Sequence, residues 1–311
     1  MAAADDPATT GQKTHRYLRL SLVLIVFGLL AGVALQSIVA SWNPVILGWH
    51  PLPSISHAFY TPVRDVFVGG LIATSVILLA LSGRSRATTL LDICAVLAPL
   101  IAIVPTGITE SEGVDGVPCP GPEDCIPTEY IDGAKAGIAV YAVVVVAAVV
   151  TMAVIRARRG TPSRGAALVS AIALGAAAVV VALAFIPGLD DGFPFNVWPV
   201  HSIHFAVTVA FFAVFAAVPI LYARGPLDPD ETPPTPAERR LYGWIAGLVI
   251  LDLAVLVAAI LFRQAFGETP LLLIGEAAAL ILFACFWWVQ TFQRWDDTNP
   301  PSVVAGRPSE V

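Results

Sequence analysis

The chain has 311 residues, 57% of them hydrophobic and only 13% charged, with a mean hydropathy of +0.79. Soluble domains carry roughly 25% charged residues, so this composition excludes an ordinary water-soluble globule and points to a polytopic membrane protein. The formal charge of −6 sits mostly in loops and tails, which argues against a nucleic-acid partner and leaves membrane lipids as the expected surroundings.

Residues 1–17, opening MAAADDPATTGQKTH, are small and polar and are expected to form a disordered tail. The first predicted span, 18–41, is too long for a signal-peptide core and has no small-residue cleavage site after it. SISHAFYTPVRDVFVGG follows, packing Ser54, Ser56, His57, Arg64 and Asp65 ahead of a second span at 64–83. A third span, 89–105, is short and ends at Pro105. The outside loop 106–134 contains GVPCPGPEDCIPTEYIDG, where Cys119 and Cys125 flank a Pro/Gly turn. In an oxidising compartment that spacing suits a small disulfide loop, with two free thiols as the alternative. No second ligand pair accompanies the two cysteines, so zinc is not expected there.

Spans four and five, 135–156 and 166–187, are rich in Ala and Val, which suits close helix packing. Span six, 201–223, opens with HSIH. The acidic, Pro-rich segment 225–238, GPLDPDETPPTPAE, reads as a spacer ahead of span seven, 241–262, which carries Asp252 near its middle. Span eight, 270–292, holds Glu276 close to its start. Trp287, Trp288 and Trp295 near its other end read as an interfacial aromatic belt. Residues 293–311 form a second polar tail, expected to be disordered. Cys94 and Cys285, inside spans, read as small apolar fillers.

Eight spans put Arg64, Lys135 and Arg263 at one end of the bundle and the rest of the seventeen Lys and Arg residues at the other. The basic end faces the cytoplasm, so both termini are expected there. The fold class that follows is all-α, a polytopic helix bundle of about eight spans filling 18–292.

Ionisable groups at membrane depth are costly and point to function by default. Four segments deliver His57, Asp65, His201, His204 and Glu276 to the outer end, and the two imidazoles of HSIH stand three apart, on one side of a helix. Such a set suits either a zinc ion or a base with its orienting partner. The competing reading is structural: Arg64 and Asp65 anchor the interface, and His204 and Glu276 bond neighbouring helices. Asp252 with Glu276 offers another class, a proton relay in a small-molecule carrier.

SISHAFYTPVRDVFVGGLIATSVILLAL, IAIVPTG, HSIHFAVTVAFFAVFAA and IGEAAALILFACFWW resemble blocks of uncharacterised bacterial multi-pass membrane proteins, with His204 and Glu276 at the matching positions. The resemblance implies a membrane fold in a bacterial cell membrane, with no settled activity. A more distant resemblance is to the CREST superfamily of membrane hydrolases, which includes alkaline ceramidases and adiponectin receptors. Its paired histidines stand as HxxxH where this chain has HxxH. That resemblance implies a zinc-dependent lipid hydrolase in which His57, His201 and His204 hold the metal, Asp65 or Glu276 is the base, and Ser56 positions the substrate oxygen.

Overall fold

The computed structural model describes residues 10–41, 52–83, 85–108, 125–159, 164–190, 193–197, 200–225, 232–261, 271–295 and 297. In chain order the long helices are α1 (Thr10–Ser41), α2 (Arg64–Ala80), α3 (Arg86–Ile103), α4 (Thr128–Arg159), α5 (Arg164–Phe185), α6 (Ile203–Arg224), α7 (Pro236–Leu261) and α8 (Leu271–Gln293). A buried 3-10 helix, Ile55–Tyr60, precedes α2, and a small antiparallel ribbon, β1 (Phe195–Val197) with β2 (Val200–Ser202), precedes α6. Seven of the eight long helices are long and apolar enough to cross a membrane; α2, at 17 residues, is the short one. The protein is an all-α, multi-pass membrane helix bundle.

Local chemistry sets the helix ends. Ser85 caps α3 by accepting from Thr88 N, and Ser202 caps α6 by accepting from Phe205 N. The acidic spacer ends in a capping box: Thr235 N donates to Glu238 Oε2 at 2.7 Å, Glu238 N donates to Thr235 Oγ1 at 3.3 Å, and Pro236 takes the first helical position. α1 begins at Thr10, ahead of the expected span, because QKTHRY continues a helix without a breaker. Residues 1–9 and 298–311, most of the two expected tails, lie outside the described residues.

Six helices close a ring. α1 packs on α2, α2 on α3, α3 on α6, α6 on α7, α7 on α8, and α8 returns to α1. The α4–α5 hairpin is docked on the outside of α3. Phe211, Phe215, Phe283, Phe286 and Trp287 fill the ring with edge-on and tilted aromatic contacts. Trp287 is 2% exposed, so it belongs to this core and not to the expected interfacial belt, whereas Trp288 and Trp295 are exposed. Pro99 inside α3 has no amide to give to Ala95, and Ser75 of α2 takes up that carbonyl with a 2.6 Å hydrogen bond.

The two ends of the bundle differ chemically. Gln12 Nε2 donates to the Asp297 carbonyl at 3.1 Å and Arg16 Nε to the Trp295 carbonyl at 2.7 Å, so the start of α1 and the end of α8 share one end. Asp297 also accepts from Thr232 N and, at 2.6 Å, from Arg294 Nε. Burial would raise the Asp297 carboxyl, but the bonds from Thr232 and Arg294 outweigh it and hold the group below its ordinary value. Arg86, Arg156, Arg164, Arg224 and Arg239 lie at helix ends on this same side, the end that the basic residues predict to be cytoplasmic. Arg64 and Lys135 stand at the opposite end, where Lys135 pairs with Asp190 at 3.4 Å.

Candidate functional site

Pro53 and Pro62 bracket the stretch SISHAFYT and confine it to a single short turn of helix, Ile55–Tyr60. All six of its residues are buried against the outer ends of α1, α2 and α8. A helix start leaves backbone N–H groups without intrahelical acceptors, and here they are met from far along the chain. Glu276 on the second turn of α8 accepts from Ile55 N at 2.5 Å and from Ser56 N at 3.3 Å, both through Oε2. Its other oxygen, Oε1, lies 3.0 Å from Ser56 Oγ. Ser54 lies beside the same carboxylate and 2.7 Å from His57 Nδ1.

His204, on the first turn of α6, completes the arrangement. Its Nε2 lies 2.9 Å from Ser56 Oγ and its Nδ1 lies 2.6 Å from the Val104 carbonyl. That carbonyl has no intrahelical partner because α3 ends at Ile103 and the amide four residues on, Ile108 N, donates to the Cys125 carbonyl instead. A carbonyl can only accept, so His204 Nδ1 carries a proton. Ser54, Ser56, His57 and His204 are buried, and Glu276 is half-buried.

The protons can be counted. Two contacts, His204 to Ser56 and Ser56 to Glu276, need one hydrogen each, while the serine hydroxyl owns one. For both contacts to be hydrogen bonds at once, the trio must carry one further proton. Either Glu276 is protonated, donating to Ser56, which donates to a neutral His204, or His204 is cationic and donates to Ser56, which donates to a carboxylate. Ser56 connects these two states by passing a proton in each direction. Loss of the extra proton leaves lone pair facing lone pair at one contact.

Sequence reasoning selected Ser56, His57, His204 and Glu276, and the fold gathers all four. Asp65 is exposed on the first turn of α2 and takes no part in these bonds. Arg64 is also exposed and lies over two aromatic rings, Phe59 at 4.2 Å and Tyr130 at 5.5 Å. The Tyr60 hydroxyl donates to the Thr106 carbonyl at 2.6 Å; burial first and Tyr130 second push its proton affinity up, against the opposing charge of Arg64. Asp252 sits on the packed face of α7, one turn inward of Leu256, which contacts α8 at Gly275; its Oδ2 has no hydrogen-bond partner among the described residues. The backbone of His201 lies in β2, and its side chain, like Cys119 and Arg263, lies outside the described residues.

Among the described residues no three His, Cys, Asp or Glu side chains group as a metal site requires. His204 has given both ring nitrogens to protein oxygens, which does not fit a zinc ligand. Cys125 is disulfide-bonded, Cys94 is buried, and Cys285 faces outward from α8. Ser54, which the sequence offered beside Ser56, joins the arrangement, and the participant missed by sequence reasoning is the Val104 carbonyl. Its signal was present in IVPTG, since a helix that stops offers free carbonyls. Compared with known proteins, the chain matches no family model, no curated protein and no solved structure.

Proposed function

We propose that the protein is a proton-coupled carrier of a bacterial cell membrane, with Glu276, Ser56 and His204 as its outer proton-binding group. One observation carries this reading: a single serine hydroxyl lies within hydrogen-bond reach of both a histidine nitrogen and a carboxylate oxygen. The three groups come from α8, from the 3-10 helix and from α6, so a change in their proton count changes a bond between separate elements. That is the coupling a carrier needs between protonation and helix position. Asp252, farther in on α7, is the candidate next station.

The test is infrared difference spectroscopy of the purified protein across a pH step, together with dye-reported proton uptake in proteoliposomes. A carboxylic-acid band that titrates and vanishes in Glu276→Gln supports the proposal. An identical spectrum in the variant, with unchanged uptake, overturns it.

A hydrolytic reading has one observation in its favour, the 2.9 Å Ser56–His204 pair with the imidazole oriented by Val104. Against it, the backbone N–H groups that would hold a substrate oxyanion beside Ser56 are occupied by Glu276. Covalent labelling of Ser56 by a fluorophosphonate would favour hydrolysis of a membrane lipid.

A further inference from the structure

At the cytoplasmic end, inside the ring, a cavity of about 20 Å³ is lined by Arg19, Leu81, Thr88, Leu91, Trp287 and Arg294, among others. A water needs roughly 10–15 Å³ by the same measure, so the space is of the size that one small ion fills. Its polar lining is dominated by donors. Arg19 and Arg294 are buried and positively charged, and Arg294 gives its Nε–H to Asp297. Thr88 has turned its hydroxyl proton to the Ser85 carbonyl.

Two further donors line the same cavity from α8. Trp287 and Gln290 are each 2% exposed, and Trp287 Nε1 has no hydrogen-bond partner among the described residues. The Tyr242 hydroxyl donates to Gln293 Oε1 and can also accept one of the two Gln290 amide hydrogens, so the fully unmet donor is Trp287 Nε1. An indole N–H has no acceptor capacity and its position is fixed by the packed ring, so an unmet one on a residue that lines a cavity with two arginines asks for an anion. Burial adds weight, because charge-assisted hydrogen bonds strengthen where water is excluded.

We propose that this cavity is a binding site for a halide-sized monovalent anion, chloride in the cell, reached from the cytoplasm and held by Arg19, Arg294, Trp287 and Gln290. The site is separate from the outer proton-binding group and stands or falls independently of it.

The experiment uses the full chain in detergent. Its thermal unfolding midpoint is titrated with sodium chloride while sodium gluconate, too large for the cavity, keeps ionic strength constant. A saturable rise with chloride and bromide but none with gluconate is expected. Trp287→Phe keeps the ring and removes the N–H, and should raise the half-saturating chloride concentration about tenfold or more. Arg19→Gln should abolish saturation. Superimposable chloride and gluconate curves, or a Trp287→Phe variant that titrates like the parent, overturn the proposal. Should a variant fail to fold, chloride-35 line broadening by the unmodified chain decides: broadening relieved by bromide but not by gluconate supports the site, and its absence overturns it.

Discussion

Glu276 illustrates how one side chain can serve both fold and chemistry. It caps the 3-10 helix through Oε2 and touches the Ser56 hydroxyl through Oε1. Glutamine reproduces both tasks, since its oxygen can accept from Ile55 N and Ser56 N while its amide donates to Ser56 Oγ. The Glu276→Gln protein should therefore unfold within about 1 kcal/mol of the parent, whereas Glu276→Ala, which strands two amides, should cost roughly 2–4 kcal/mol. Urea or thermal denaturation in detergent checks the difference; equal losses for both would mean the cap is not holding the turn. His204, Glu276, Ser56 and His57 were readable because membrane-depth polar residues stand out in an apolar chain. Which of them meet was not readable, since Asp65 has the same chemistry as Glu276 but points outward from the first turn of α2.

At the scale of helices, the register between neighbours rests on small residues and on carbonyls freed by proline. The ideal Cβ of an alanine at Gly275 would meet Leu256 Cδ2 and lie 2.8 Å from its Cγ, so α7 and α8 approach closely beside the residue that precedes Glu276. Gly275→Val should cost about 1–3 kcal/mol by overpacking. It should also shift the proton-linked infrared band, because α8 carries the carboxylate. Ser75→Ala tests the other device: with the Ala95 carbonyl abandoned beside Pro99, a loss of about 1–3 kcal/mol is expected in thermal denaturation. Spans of this kind are legible from hydropathy and length, and all eight appear as helices. The 3-10 helix and the β1–β2 ribbon were not legible, because each is only a few residues long, and the 3-10 helix is capped by a residue distant in sequence.

For the whole molecule, the cytoplasmic end is tied by Asp297, which links α8 to the segment ahead of α7 through Thr232 and, through its backbone carbonyl, to α1. Its folded proton affinity lies below the ordinary carboxylate value of 3.8. A group depressed in this way stabilises the fold above its unfolded value, and that contribution disappears as the pH falls through the lower folded one. Thermal midpoints measured down the acid limb should thus show a loss in the parent that Asp297→Asn lacks. Parallel acid limbs for the two proteins would remove Asp297 from the account. The six-helix ring itself could not be read from the sequence, because the contact of α8 with α1 depends on packing geometry and not on any local pattern.

That closing contact bears on how the protein is made. The carboxylate that caps Ile55 lies 221 residues farther along the chain. A chain threaded into the bilayer from its N-terminus must hold the 3-10 helix uncapped, and α1 without its second neighbour, until the last helix enters. Ser56 gains its acid partner, and the cavity beside Arg19 its tryptophan, only at that moment. A chain cut before α8 would then lack both the Glu276 cap and the Trp287 wall of the inner cavity.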